Sequence, residues 1–368
     1  MMNIPFVDLK AQYRTIKPEI DLAIQSVIAE TAFIGGKYVN DFNSKFAKAI
    51  GVKHCIGVAN GTDAIYIVMK MLGIGTGDEV ITTASSWIAT SETISETGAK
   101  PVFVDIEPDY YTIDVSKIEA KINENTKAII PVHLYGQMSD MDALVELCKK
   151  HNLWLIEDCA QSHLSAYNDT IAGNFGVCGT FSFYPGKNLG AYGDAGSIVT
   201  NDDKLAQNCR RYANHGQLSK HDHKFEGISS RLDGLQAAIL SVKLDHLQSW
   251  IDRRIEIAKI YDELLGDNDN IKLPKLRPNA THTFHLYVIR TNRRDALQAH
   301  LRDKGIASGV HYPTALPFLE AYSHFNHRPE QFPNAFAHQN EALSIPIYPE
   351  LTDDMIEYVA DAVNSFTT

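Results

Sequence analysis

One lysine, Lys187, stands between Gly186 and Asn188 inside the stretch FSFYPGKNLGAYGDAG, residues 181–196. A lysine enclosed by aromatic and small residues loses hydration, gives up its proton more easily, and becomes a nucleophile toward carbonyl carbon; a solvated surface lysine does none of this. Three other short stretches carry complementary groups. ANGTDAI (59–65) sets Gly61 and Thr62 where a strand-like run passes into a helix-like one. That layout aims backbone N–H groups at a positive helix terminus and suits a phosphate, or serves as a plain helix cap. IEDCAQSH (156–163) ends an apolar run on Asp158, with Gln161 and His163 close behind. Such an aspartate can pair with a protonated ring nitrogen or cap a helix, and such a glutamine can reach a phenolic oxygen. SSWIAT (85–90) offers Trp87, a flat ring for stacking on an aromatic ligand or for ordinary core packing. Ser182 precedes Lys187 in the same glycine-rich stretch.

A phosphate cradle, a carboxylate for a ring nitrogen, an aromatic lid and a partly enclosed lysine are together the parts that a pyridoxal phosphate site requires. Lysine forms a Schiff base with the aldehyde, and the carboxylate keeps the pyridine nitrogen protonated so that the ring accepts electrons from a substrate carbanion. Nucleotide loops do not fit. A P-loop places four residues between its glycines and Ser or Thr after its lysine, whereas Gly179 and Gly186 enclose six and Asn188 follows. Gly190, Gly193 and Gly196 also lack the dinucleotide spacing.

These groups meet only if the elements between them bring them to one edge. From about residue 50 to 200 short β-branched runs alternate with helix-like segments: 54–60, 78–84, 100–106, 126–136, 153–162, 179–185 and 196–201 read as strands, several apolar on both faces. Seven such strands predict an α/β fold with a mostly parallel sheet, whose ligands sit outside the carboxyl ends of the strands. A second region follows. Residues 235–266 read as one long helix or two joined ones, and beyond them strand-like 285–291 and 308–313, helix-like 294–306 and a terminal helix after Pro349 predict a small α+β unit. The expected division is 1–245 for the large domain, with the N-terminal segment, and 246–368 for the small one.

The bulk composition narrows the partners. Against 45 acidic residues stand 34 basic ones in no block, which argues against nucleic acid or an anionic membrane surface. No apolar run reaches the length of a membrane span, and MMNIPFVDLK lacks the layout of a signal peptide, so a cytoplasmic location is expected. Cys55, Cys148, Cys159, Cys178 and Cys209 form no C-x-x-C pair and read as buried reduced thiols. HDH (221–223) and HTFH (282–285) have short histidine spacings but no third ligand nearby, so no metal site is expected.

With these motifs in order, the sequence resembles the DegT/DnrJ/EryC1/StrS sugar-nucleotide aminotransferases, PLP-dependent transferases of fold type I, aspartate aminotransferase-like. The resemblance covers essentially the whole chain, from IPFVDLKAQY (4–13) and FIGGKYVNDFNSKFAKAIG (33–51) through VANGTDAI, HLYGQMSDMDAL, IEDCAQSH, FSFYPGKNLGAYGDAG and SRLDGLQAAIL (230–240) to GVHYPTALP and LSIPIYPELTDD. It implies that Lys187 is the cofactor's covalent anchor and general acid/base, and that Asp158 is the partner of the pyridine nitrogen. Gln161 would sit near the ring oxygen, Trp87 on the ring face, and Gly61, Thr62 and Ser182 on the phosphate. The cofactor would be pyridoxal 5'-phosphate, with pyridoxamine 5'-phosphate as the intermediate form. In the family a loop from the neighbouring subunit offers an asparagine to the phosphate; this chain has Ser229 there, with a shorter reach.

The resemblance further implies a homodimer with shared active sites, L-glutamate as amino donor and a nucleotide-linked keto-sugar as acceptor. SSWIAT, FVDLKAQY and SRLDGLQAAIL look most like members acting at C3 of dTDP-3-keto-6-deoxyhexoses for surface polysaccharide (lipopolysaccharide O-antigen) or glycosylated metabolites. Relatives acting at C4 of dTDP-, UDP- or GDP-4-keto-6-deoxyhexoses share nearly all these motifs. Tyr184, His311 and Tyr312 are the candidates for the sugar-nucleotide side, His311 being equally readable as a structural histidine. Members that dehydrate keto-sugars carry histidine in place of the lysine, so Lys187 favours amino transfer.

Overall fold

In the computed structural model, which describes residues 2–366, strand and helix alternate as the apolar pattern predicts. In chain order the elements are α1 (Leu9–Ala29), α2 (Gly36–Ile50), β1 (His54–Val58), α3 (Gly61–Met71), β2 (Glu79–Thr83), α4 (Ala89–Thr97), β3 (Lys100–Val104), β4 (Thr126–Ile130), α5 (Met141–His151) and β5 (Trp154–Asp158). There follow β6 (Ala166–Tyr167), β7 (Thr170–Ile171), β8 (Cys178–Ser182), β9 (Gly196–Thr200), α6 (Asp203–Tyr212), α7 (Gly234–Leu265), β10 (Ala280–Thr281), β11 (Tyr287–Arg290), α8 (Arg294–Asp303), α9 (Pro333–Glu341), β12 (Ala342–Ile345) and α10 (Asp353–Asn364).

The seven strands expected from their apolar runs form one sheet in the order β1-β9-β8-β5-β4-β2-β3. Only β9 runs against the others, so the carboxyl ends of the remaining six share one edge. Both faces are covered. Phe42, Phe46, Leu144 and Leu240 pack on one side with Ile81 and Phe181, while Ile65, Val68, Ile94 and Leu205 pack on the other with Val58 and Ile198. Residues buried on both faces explain why these strands read as continuous apolar runs rather than as alternation.

Strand β4 stops at Ile130, short of the run expected to reach residue 136. Pro131 has no N–H to donate, and the chain then bends through a short turn, Leu134–Gly136, with Tyr135 at φ 62°. The C-terminal unit holds a two-stranded antiparallel ribbon, β11 with β12, packed on α8, α10 and the end of α7. Residues 308–313 form no strand; Gly309 makes a single bridge to Ser344 of β12. The region 235–266 is one helix, α7, of 32 residues. Up to Ile251 it contributes Leu240, Leu247 and Ile251 to the sheet's core, and beyond that residue it contributes Ile257, Ala258 and Tyr261 to the C-terminal core. A division at 245/246 therefore falls inside a continuous helix, and Ile4 packs in the C-terminal core through backbone bonds to Gly305 and Ala307.

Candidate active site

The shared strand edge faces the C-terminal unit across a cavity of about 590 Å³, within the range of small-ligand sites. Four of the strand ends deliver a candidate group to it. After β1 come Gly61 and Thr62, after β2 Trp87, at the end of β5 Asp158 and Gln161, and at the end of β8 Ser182, Tyr184 and Lys187; the C-terminal unit adds His311 and Tyr312. Ser229 lies outside the cavity of its own chain. It is exposed, and its hydroxyl accepts a hydrogen bond from Arg231 at 3.1 Å.

The start of α3 is capped by Asn60, whose side chain accepts the Asp63 N–H at 2.7 Å, leaving the Gly61 and Thr62 N–H groups among those with no intrahelical partner. Glycine is required at 61: a Cβ there would stand 2.8 Å from the Ser182 Cβ. A Cβ on Gly196 would lie 2.3 Å from the Asn60 carbonyl carbon, so the glycine-rich stretch also presses β9 against this turn. The helix terminus and the Ser182 hydroxyl thereby come together as an anion site.

Asp158 is buried. One carboxylate oxygen accepts the Thr90 hydroxyl at 2.8 Å and the other the Ala160 N–H at 3.1 Å. Burial nevertheless raises its pKa above the ordinary carboxylate value, against the opposing pull of these bonds and of the Lys187 charge. Behind it, the fully buried Glu157 accepts backbone N–H groups of Gly173, Phe175 and Gly176 at 2.7–2.9 Å and faces His133 Nε2 at 3.1 Å. His133 Nδ1 accepts the Ser139 N–H, which leaves Nε2 as the donor to Glu157. A glutamine here would turn an NH₂ group toward donors, so Glu157→Gln is expected to cost about 3 kcal/mol in denaturant unfolding, and a cost below about 1 kcal/mol would refute this account.

Lys187 is enclosed enough that desolvation lowers its pKa to about 8, partly offset by the charge of Asp158. The two opposite charges share the cavity without approaching within ion-pair distance of each other. Neutral imidazoles stand around the amine. Desolvation and the lysine's charge bring His163 down to about 3 and His311 to about 4, and neither ring nitrogen of His163 has a hydrogen-bond partner.

Gln161 ties the two sides together. Its Oε1 accepts the Tyr135 N–H at 2.7 Å, and its Nε2 donates to the Tyr312 hydroxyl at 2.9 Å. Tyr135 in turn donates its hydroxyl to the His311 carbonyl. Trp87 stands at the mouth, 58% exposed, its ring 5.6 Å from that of Tyr312 and tilted by 45°. Tyr184 is equally open, at 60%.

Among the lining residues that sequence reasoning did not place in the site are Thr90, Phe6, His285 and Arg254. Thr90 follows Trp87 inside a stretch already singled out, yet nothing in SSWIAT distinguishes a hydroxyl that serves Asp158 from one that caps a helix. Phe6 arrives from the N-terminus and stacks on His311 at 5.5 Å, a contact over some three hundred residues that no local pattern encodes. Arg254 did leave a signal, a charge on the buried stripe of α7.

A half-buried amine, a buried carboxylate held apart from it, an unsatisfied helix terminus and an open aromatic ring would fit pyridoxal 5'-phosphate between them: amine to aldehyde, carboxylate to ring nitrogen, terminus to phosphate. The profile of the DegT/DnrJ/EryC1/StrS aminotransferase family matches residues 14–364. The chain belongs to this family. Its relatives include a Geobacillus stearothermophilus pleiotropic regulatory protein, 46% identical over 99% of both chains. The dTDP-3-amino-3,6-dideoxy-alpha-D-galactopyranose transaminase of Aneurinibacillus thermoaerophilus is 44% identical over 99% of both. The UDP-2-acetamido-2-deoxy-3-oxo-D-glucuronate aminotransferase of Pseudomonas aeruginosa is 40% identical over 98% of this chain and all of its own. Among solved structures, DesV of S. venezuelae superposes with a TM-score of 0.97 at 40% identity, over 99% of this chain and 98% of its own. The protein is thus a sugar-nucleotide aminotransferase of the DegT/DnrJ/EryC1/StrS family, dependent on pyridoxal phosphate. Among the described residues no helix is long and apolar enough to cross a membrane.

Proposed function

We propose that this aminotransferase moves an amino group from L-glutamate to C3 of a dTDP-linked 3-keto-6-deoxyhexose, giving a dTDP-3-amino-3,6-dideoxyhexose. The observation that carries the reading is that position 3 recurs in the names of relatives that differ in nucleotide and sugar. The dTDP nucleotide follows the relative at 44% identity.

When bound, pyridoxal 5'-phosphate supplies an aldehyde and an electron-withdrawing ring, which make the α-proton of an amino acid removable. In this reading Gly61, Thr62 and Ser182 hold the phosphate, Trp87 covers the ring, Gln161 serves the phenolic oxygen, and Asp158 keeps the ring nitrogen protonated. Lys187 Nζ, the covalent anchor at rest, would take the proton from the donor α-carbon and return it to the carbon that had carried the aldehyde. The same amine reverses the transfer when the keto-sugar enters, and the sugar's C3 gains the nitrogen. Tyr184, His311 and Tyr312 face the sugar nucleotide. Because His311 is neutral and its Nδ1 is engaged with Ser344 Oγ at 2.9 Å, it offers the sugar a hydrogen bond rather than a charge.

The active unit in this reading is a cytoplasmic homodimer with composite sites. Ser229 sits on an exposed loop away from its own cavity, and Phe33, Ile34, Trp87 and Tyr184 are all exposed, as a surface awaiting a second copy would be. The product fits a route to surface polysaccharide or a glycosylated metabolite. The test is to combine enzyme and L-glutamate with dTDP- and UDP-linked 3-keto and 4-keto sugars and to identify the aminated product by mass and NMR. A dTDP-3-amino sugar is expected. Amination at C4, or conversion of the sugar without consumption of glutamate, would overturn the assignment.

A further inference from the structure

Helix α7 turns Leu247, Trp250, Ile251, Ile257 and Tyr261 inward, and within that apolar stripe lies one arginine, Arg254, only 5% exposed. Its Nη1 donates to the carbonyls of Ile347 and Phe284 at 2.8 and 3.0 Å, and at 3.5 Å to that of His285. Its Nε is buried with no hydrogen-bond partner. Among the described residues no carboxylate stands within ion-pair distance; Glu350 acts on it only at longer range. A buried cation without a counter-ion is costly, and the planar fork of arginine matches a carboxylate. Beside it, His285 is also buried, and its Nδ1 is likewise unpartnered.

Arg254 and His285 line the cavity that holds Lys187. Apart from its histidines, which desolvation keeps neutral, Lys187 and Arg254 are the basic residues on its described wall, and Lys187 is committed to the chemistry. Every amino acid donor brings an α-carboxylate into this space. The helix terminus of α3 with Ser182 already answers a phosphate, from the sheet side of the cavity. A guanidinium this deep in the C-terminal wall suits a small anion rather than the diphosphate of a nucleotide, whose bulk belongs near the open rings of Trp87 and Tyr184.

We propose that Arg254, with His285 beside it, is the binding site for the α-carboxylate of the amino donor. The inference rests on the amino-transfer reading above and is indifferent to which sugar accepts. Its test separates the two half-reactions in the holoenzyme by the cofactor's absorbance, comparing L-glutamate with L-isoglutamine, whose α-carboxylate is a carboxamide. Wild-type enzyme is expected to react about 10- to 100-fold less efficiently with L-isoglutamine, the worth of hydrogen bonds to a charged group. Arg254→Gln should impose a similar loss on L-glutamate while leaving L-isoglutamine and the keto-sugar half-reaction within about twofold, and Arg254→Lys should recover part of it. A purely structural arginine would instead slow both half-reactions and both donors alike, and that result overturns the proposal. Should neither variant fold, the wild-type comparison decides: a tenfold preference for the carboxylate supports the site, and indifference overturns it. Failure of every amino donor to convert the holoenzyme would instead sink the amino-transfer reading itself.

Discussion

Replacing Lys187 by alanine is expected to lower turnover at least about a thousandfold, because in the proposed mechanism one side chain serves as both covalent anchor and proton carrier. The fold should survive. The Lys187 N–H bond to the Tyr184 carbonyl, 2.8 Å, belongs to the backbone and is kept by alanine. Removing an enclosed amine also relieves the desolvation that holds its pKa near 8. The variant should melt like wild type, bind pyridoxal phosphate without covalent attachment, and yield no cofactor adduct on peptide mass mapping after borohydride treatment. Retained turnover, or an adduct still formed elsewhere, would refute the assignment.

The same lowered pKa has a pH signature. Attack on an aldehyde needs the neutral amine, and its fraction rises with pH, reaching one half near pH 8 rather than near the ordinary 10.5. Covalent uptake of pyridoxal phosphate by cofactor-free protein should therefore accelerate up to about pH 8 and level off above it. A rate still climbing at pH 10 would mean that the amine is solvated.

How much of this was legible in the sequence depended on the range of each interaction. The seven central strands announced themselves because short β-branched runs alternate with helix-like segments, several of them apolar on both faces as buried strands are, and the helix start at Gly61 was marked by local capping chemistry. β12 was not read as a strand: its four residues pair with β11, more than fifty positions earlier, and through one bridge with Gly309, and no turn signal joins these segments. Asp158, Gln161 and Lys187 could be brought to one cavity from the sequence because each lies at or just after a strand end, and parallel strands put their carboxyl ends on one edge. Their supports were another matter. The Tyr135–Gln161–Tyr312 chain joins three loops through two hydrogen bonds, and the Thr90–Asp158 bond links β5 to a helix that follows β2. Such partners are chosen by the packed geometry, which composition and spacing do not contain.

Asp158→Asn is expected to lower the rate about 10²- to 10³-fold, the scale of one preorganised electrostatic contact, while cofactor still binds. The shape is preserved. An asparagine can accept the Ala160 N–H on its oxygen and donate from its NH₂ to a Thr90 hydroxyl turned to accept, so both existing partners remain satisfied. What is lost is the charge that the proposed mechanism sets opposite the ring nitrogen. The cofactor-free protein supplies a check that does not depend on turnover. Burial raises the pKa of Asp158 in the folded state, so the folded protein holds this proton more tightly than the unfolded chain does. The sign follows: its stabilising contribution is full below the unfolded carboxylate value, near 3.8, and is lost as pH rises through the folded value. At pH 7 cofactor-free wild type thus carries a buried carboxylate that the variant lacks. Cofactor-free Asp158→Asn should melt at or above wild type at pH 7, with the gap closing toward pH 4, whereas pyridoxal phosphate should raise the melting temperature of wild type more than that of the variant. The opposite order in cofactor-free protein, or an unchanged rate, would refute the pairing, because a carboxylate that merely caps a turn would stabilise the empty fold and leave the chemistry alone.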